Sequence, residues 1–146
     1  MNYYLKFAIS DISFAAPIEE IKEIARPKSI LKQEKKERGA KNLIGFFHLR
    51  KEKLALYDLP NFLEIKQKNN SEFEVIISEI HNSRVGFKVD KVFGIITADD
   101  LVSFPEIARP RDYFKGVIKE GESVVQVLSF TKLMSGSRFK SLKKYL

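Results

Sequence analysis

Cysteine is absent from the 146 residues, which excludes disulfides and thiolate–metal sites and gives no sign of an oxidising compartment. Tryptophan is absent too, and His48 and His81 are the only histidines. Two imidazoles without thiolates would leave carboxylates to supply most ligands of any metal site, and no acidic cluster has a regular ligand spacing. The acids pair as Glu19-Glu20, Asp99-Asp100 and Glu120-x-Glu122 in expected turns or strand ends. Neighbouring strand residues point to opposite faces, which makes such pairs poor acid–base partners. A Gly-rich phosphate loop, an HExxH motif and a nucleophile elbow are all missing. His48 stands among Phe46, Phe47 and Leu49 with no orienting partner in sequence, and reads as a strand residue rather than a general base. Apolar runs such as Leu43 to Phe47 fall far below the ~20 residues of a membrane span. The N-terminus, MNYYLKFAISD, meets Lys6 and Asp11 before a signal-peptide core could form. These absences predict a cytoplasmic, soluble, non-catalytic protein with no catalytic residue, no metal and no cofactor.

What is present is an ordinary globular composition, 44% hydrophobic and 31% charged, with twelve Phe and five Tyr to fill a core. The net charge of +7 is concentrated. Lys22 to Lys41 carries eight Lys or Arg against three Glu, and Lys132 to Leu146 carries five and no acid. Such asymmetry raises the alternative of a basic β-barrel nucleic-acid binder. That reading needs aromatics exposed beside the cations, whereas Tyr3, Phe7, Phe46 and Phe73 fall in rows expected to face inward. Charge runs are more often solvated faces, so no nucleic-acid partner is expected.

Period-two alternation dominates. Tyr3, Leu5, Phe7 and Ile9 alternate with more polar neighbours and predict an inward row, followed by a tight turn at SDIS. Phe73 to Ile80 predicts a strand with Phe73, Val75 and Ile77 on one face. Arg84 to Thr97 predicts a long β segment with a bulge or bend at Gly94, and Val124 to Phe130 a last strand. The spacing suits small antiparallel barrels rather than βαβ units. Ile18, Ile21 and Ile24 recur at intervals of three, which alone predicts a short helix over Pro17 to Ala25. Phe130 to Tyr145 predicts a terminal amphipathic helix broken near Gly136, with Phe139 and Leu142 on its apolar side. KQEKKERGAK, Lys32 to Lys41, predicts an exposed loop.

The stretch Ile44 to Pro60, IGFFHLRKEKLALYDLP, reads as two strands, Gly45 to Leu49 and Leu54 to Leu59, around the charged turn Arg50-Lys51-Glu52-Lys53. Asp58, just before Leu59-Pro60, is placed to cap the next turn through backbone N–H groups. Arg50, beside an apolar strand end, calls for a carboxylate partner.

Here the chain resembles the CheW-like adaptor domains of bacterial chemotaxis. The family's Gly-apolar-apolar-Asn-Leu-Arg-Gly segment and its run into Asp-Leu appear as GFFHLRKEKLALYDL, Gly45 to Leu59. FAAPIEEIKEI (Phe14 to Ile24), RVGFKVDKVFGII and YFKGVIKEGESVVQVLSFTKLM follow the family's other motifs in order and spacing, so nearly the whole chain is covered.

The resemblance implies a mainly β fold: two five-stranded SH3-like β-barrels packed side by side as one domain over 1–146, with a short C-terminal helix. In that light the Pro17 to Ala25 segment shrinks to one helical turn leading into a strand. The resemblance also implies a non-catalytic coupler between the histidine kinase CheA, through its regulatory domain, and methyl-accepting chemoreceptors, touching the membrane only through the receptors. Carried over, Glu23 and Arg50 match the family's charged pair near the receptor-facing groove, and Ile21, Ile24 and Leu54 match apolar positions there. Lys51 stands where the family has Gly, so the turn is expected to differ or to lack a positive φ. His48 and Ala55 stand where it has Asn and Pro. Glu23 and Arg50 are expected to end apolar strands and to form a partly buried ion pair at the partner-binding face.

Overall fold

The computed structural model describes residues 1–32, 41–67, 72–104 and 111–146. The chain is mainly β and forms two sheets. The first joins β1 (Asn2–Ile9), β2 (Ile12–Pro17), β9 (Lys91–Ala98), β10 (Phe114–Glu120) and β11 (Ser123–Leu128) in the order β10-β11-β2-β1-β9. The second joins β3 (Ile21–Ala25), β4 (Leu31–Lys32), β5 (Leu43–Leu49), β6 (Glu52–Tyr57), β7 (Glu74–Ile80) and β8 (Ser83–Val89) in the order β3-β7-β8-β6-β5-β4. The expectation of five strands in each half is therefore corrected. The second sheet has six, because the two residues of β4 pair with Phe46 and Gly45. The strand pairs among the described residues close neither sheet into a ring.

The core lies in three clusters. Leu5, Phe7, Ile9 and Phe14 of the first sheet meet Ile76, Val85 and Phe87 of the second, and Phe130, Leu133, Phe139 and Leu142 join them. Phe130 stacks on Phe7 at 6.1 Å and on Phe87 at 4.4 Å, and so ties the two sheets together. A second cluster on the other face of the six-stranded sheet holds Ala25, Phe47, Leu54, Leu56, Val75 and Ile77. A third, belonging to the five-stranded sheet, holds Tyr4, Ala15, Ile118, Val125 and Val127. Strands buried on both faces explain why β6 and β7 read as nearly continuous apolar runs.

The inward row of β1 holds for Leu5, Phe7 and Ile9 but fails at Tyr3, which is 52% exposed. Tyr3 pairs with Thr97 near the far end of β9, the edge strand, beyond the cover of the second sheet. Tyr4, from the opposite row, is buried on the other face, in the third cluster. The bend expected at Gly94 is a β-bulge. Lys6 pairs with Gly94 and Phe7 with Val92, which leaves Phe93 as the extra residue, and Gly94 takes φ +124°.

Pro17 to Ala25 is not a helix but a 3-10 turn over Ile18–Glu20 that runs straight into β3. Ile18 and Ile21 still reach the central cluster, so the period of three recorded burial without helix length. The terminal helix is broken as expected. α2 (Phe130–Leu133) and α3 (Ser137–Lys143) flank Gly136, whose φ of +63° suits glycine. The last strand ends at Leu128 rather than Phe130. The expected loop from Lys32 to Lys41 falls mostly on 33–40, outside the described residues.

The β5–β6 segment follows from two local features. A β-carbon on Gly45 would stand 2.8 Å from the Leu31 carbonyl carbon and 2.9 Å from the Lys32 Cα, so only glycine lets β4 lie across β5. At the other end, Asp58 caps α1 (Leu59–Phe62): its Oδ1 accepts the Asn61 backbone N–H at 3.2 Å. The second strand therefore stops at Tyr57, two residues earlier than the sequence suggests.

Candidate functional site at the β3 edge and the β5–β6 hairpin

The β5–β6 turn is shorter than the four charged residues suggest. Leu49 pairs with Glu52, which leaves Arg50 and Lys51 alone at the tip. The positive φ that glycine would favour after the arginine is taken one residue earlier, by Arg50 itself at +56°, while Lys51 has none. This left-handed residue throws the guanidinium sideways toward β3.

There Arg50 meets Glu23 in a two-pronged pair. Its Nη1 donates to Glu23 Oε1 at 2.9 Å and its Nη2 to Oε2 at 2.8 Å. The fork-to-carboxylate geometry fixes orientation as well as distance. The hydrogen bond from Arg50 holds the Glu23 carboxyl below its ordinary pKa, and the same bond raises that of the Arg50 guanidinium. The pair is partly buried at one end only: Glu23 is half-buried at 31% exposure, Arg50 is exposed at 65%, and Glu23 lies in the middle of β3 rather than at its end. Arg50 stands clear because its turn projects from the sheet.

Further charges ring the pair. Arg84 approaches Glu52 at 3.7 Å and Lys22 approaches Glu79 at 3.4 Å. Arg84 also helps to lower the Glu23 pKa, and Glu52 helps to raise that of Arg50. Sequence reasoning missed this outer ring. Its members lie on β3, β6, β7 and β8, and nothing in their local spacing marks them as neighbours.

The other residues carried over divide into surface and support. Ile24 follows Glu23 on β3, points to the opposite face of the sheet and is 40% exposed, and Lys51 is exposed. Ile21 is half-buried against the central cluster. Leu54 is only 3% exposed and packs beneath the hairpin with Phe47, Val75 and Ile77. His48 is exposed on β5 opposite Lys53, whose ammonium sits 4.5 Å from the Phe46 ring. Among the described residues no group of three or more His, Asp or Glu is placed to hold a metal ion. No described helix is long and apolar enough to cross a membrane.

The two-pronged geometry fixes the orientation of the Glu23–Arg50 pair at the surface of the sheet. In comparison with known families, the CheW-like domain matches residues 3–138. The chain belongs to the CheW-like domain family. Its fold is similar to the crystal structure of scaffolding protein TtCheW from Thermoanaerobacter tengcongensis. The TM-score is 0.78 at 20% identity, and 94% of each chain is covered. No curated protein matches. Within the CheW-like chain, the segment GFFHLRKEKLALYDL forms β5, the Arg50-Lys51 turn, β6 and the Asp58 cap. The motif that carried the resemblance therefore builds half of the charged pair.

Proposed function

We propose that this CheW-like chain is a non-catalytic chemotaxis scaffold that couples the regulatory domain of the kinase CheA to methyl-accepting chemoreceptors. It works in the cytoplasm and meets the membrane only through those receptors. The partner-binding face carries Glu23, Ile24, Arg50 and Lys51 at the surface, with Ile21 and Leu54 holding it from beneath. The observation that carries this reading is the two-pronged Glu23–Arg50 pair, set on the family's own motif. A charged pair held in a fixed orientation at the surface suits a transient, specific interface.

The same reading makes the chain one domain of two barrel-like lobes. Ala25 of β3 and Phe47 of β5 share one apolar cluster although β7, β8 and β6 separate their strands in the sheet. Neighbouring strands lie ~4.8 Å apart, so a flat sheet would hold those two strands ~19 Å apart. A curled sheet accounts for the shared cluster.

The test is a titration of the purified chain against the CheA regulatory domain and against a receptor cytoplasmic fragment from the same cells. Saturable binding to both, weakened by Arg50→Ala, is expected. Failure to bind either would end the proposal.

Nucleic-acid binding is the second reading. One observation favours it: Phe93 is exposed, with Lys6 and Lys91 at 5.5 and 5.4 Å from its ring. Lys6 is engaged by Glu120 at 2.6 Å, whereas Lys91 has no ion-pair partner among the described residues. Tight single-stranded DNA binding with a steep salt slope would favour this second reading.

A further inference from the structure

Glu20 occupies an unusual position. It ends the 3-10 turn by which the chain leaves β2 of the first sheet and enters β3 of the second. Its Oε1 accepts the Phe130 backbone N–H at 2.7 Å and the Thr131 N–H at 3.4 Å, and its Oε2 accepts the Ser129 hydroxyl at 2.7 Å. Its backbone carbonyl accepts the hydroxyl of Ser78, on β7, at 2.7 Å. Both hydroxyls are buried, and Phe130 is the ring that stacks between the sheets.

A carboxylate from 110 residues away thus serves the N-terminus of α2. The orphan N–H groups of a helix start favour an anionic acceptor, and a charged acceptor makes a stronger bond than a neutral one. Ser129 completes the arrangement by accepting the Lys132 N–H at 3.2 Å.

The strand that follows Glu20 needs such an anchor. Among the described residues β3 is an edge strand, paired only to β7, and its register shifts between Ile21 and Glu23. An edge strand with an interrupted ladder is a low-stability element. It is also the strand that presents Glu23 and Ile24.

We propose that Glu20 is a positioning residue that clamps the start of β3 to the head of α2, and so couples the C-terminal helices to the placement of Glu23. The partner-facing half of this inference rests on the function proposed above. Whatever loosens α2 then moves the carboxylate that Arg50 grips, and a partner docked on Glu23 and Arg50 stiffens α2 in return.

Hydrogen exchange on the full chain tests the clamp alone. Glu20→Ala should raise exchange of the amides of 21–25 and 130–133 by about tenfold or more, while β1 and β8 stay protected. Unchanged exchange in Glu20→Ala, or an equal rise across all strands, overturns the clamp. Glu20→Gln keeps an acceptor without the charge and should show a smaller rise in the same amides; it replaces Glu20→Ala if that variant does not fold. Binding to the CheA regulatory domain and the receptor fragment then separates the two ideas. If Arg50→Ala loses binding and Glu20→Ala does not, the positioning role fails and the proposed function stands. If Arg50→Ala binds as the wild type does, the partner face itself is wrong, and the exchange pattern still decides the clamp.

Discussion

Arg50 and Glu23 join two parts of one sheet that share no backbone ladder, since β7 and β8 lie between β3 and β6. The contact is made by side chains reaching from a hairpin tip to an edge strand, in full view of solvent. Exposed ion pairs add little to folding. Arg50→Ala should therefore leave the thermal midpoint nearly unchanged while weakening partner binding by about tenfold or more, as removal of a central charged contact does. Arg50→Lys should recover only part of that loss, because an ammonium cannot match both carboxylate oxygens. Calorimetry of binding beside thermal melts of the three proteins separates the effects.

The depressed pKa of Glu23 gives the pair a pH signature. Its folded value lies below 4.5, chiefly through the Arg50 hydrogen bond. A lowered carboxylate pKa contributes stability that is complete above the ordinary value and is lost as pH falls through the folded one. The pair should thus be intact at neutral pH and fail only as pH falls through the lowered Glu23 value. An NMR titration should place the Glu23 midpoint under 4.5 in the wild type, with a rise toward it in Arg50→Ala. Identical midpoints in the two proteins would show that the pair does not form in solution.

Much of this arrangement was written in the sequence, and what escaped has physical causes. Alternation in β1 identified Leu5, Phe7 and Ile9, because a period of two follows from the pleat itself. It failed at Tyr3 because burial there depends on how far the other sheet extends, which no local pattern records. Glu23 and Arg50 were legible as a pair through the family motif, but not their exposure, which depends on the turn taking its positive φ at Arg50 rather than Lys51. Glu20 left no local trace at all, since its partners Ser129 and Phe130 lie more than 100 residues away.

Gly45 offers a test of the sheet edge. Any β-carbon there collides with the Leu31 and Lys32 backbone of β4, which cannot yield as a flexible side-chain tip would. Gly45→Ala should cost about 1–3 kcal/mol, the range for forced overpacking, measured by urea denaturation. The loss should come with faster exchange at Leu31 and Lys32, since a short edge strand is the cheapest element to displace. A change within about 0.5 kcal/mol, as at ordinary surface sites, would mean that β4 is not seated there.

Asp58 should matter locally and modestly. Its carboxylate satisfies one orphan N–H at the start of α1, that of Asn61. Asp58→Ala should cost about 0.5–2 kcal/mol, and Asp58→Asn much less, since Asn is an equally good N-cap. Equal losses in the two variants, by the same denaturation curves, would assign the effect to something other than capping.

The last prediction separates surface from support within the proposed site. Of two apolar residues in the proposed site, Leu54 is 3% exposed and Ile24 40%. Leu54 fills the cluster with Phe47, Val75 and Ile77 on the face of the sheet beneath the hairpin. Truncating it opens a cavity among side chains that cannot easily collapse, so Leu54→Ala should destabilise by about 2–5 kcal/mol. Its effect on binding should then track the unfolded fraction and vanish when temperature or an osmolyte restores folding. Ile24 projects from an edge strand with little packed above it. Ile24→Ala should cost at most about 0.5–1 kcal/mol in stability, near the surface range. It should nonetheless weaken partner binding, because a partner would cover that side chain and remove its apolar area from water. Melting and binding measured on both variants give a crossed pattern if the division is right. Leu54→Ala weakening the affinity of the fully folded protein, or Ile24→Ala leaving binding untouched, would move the interface away from β3.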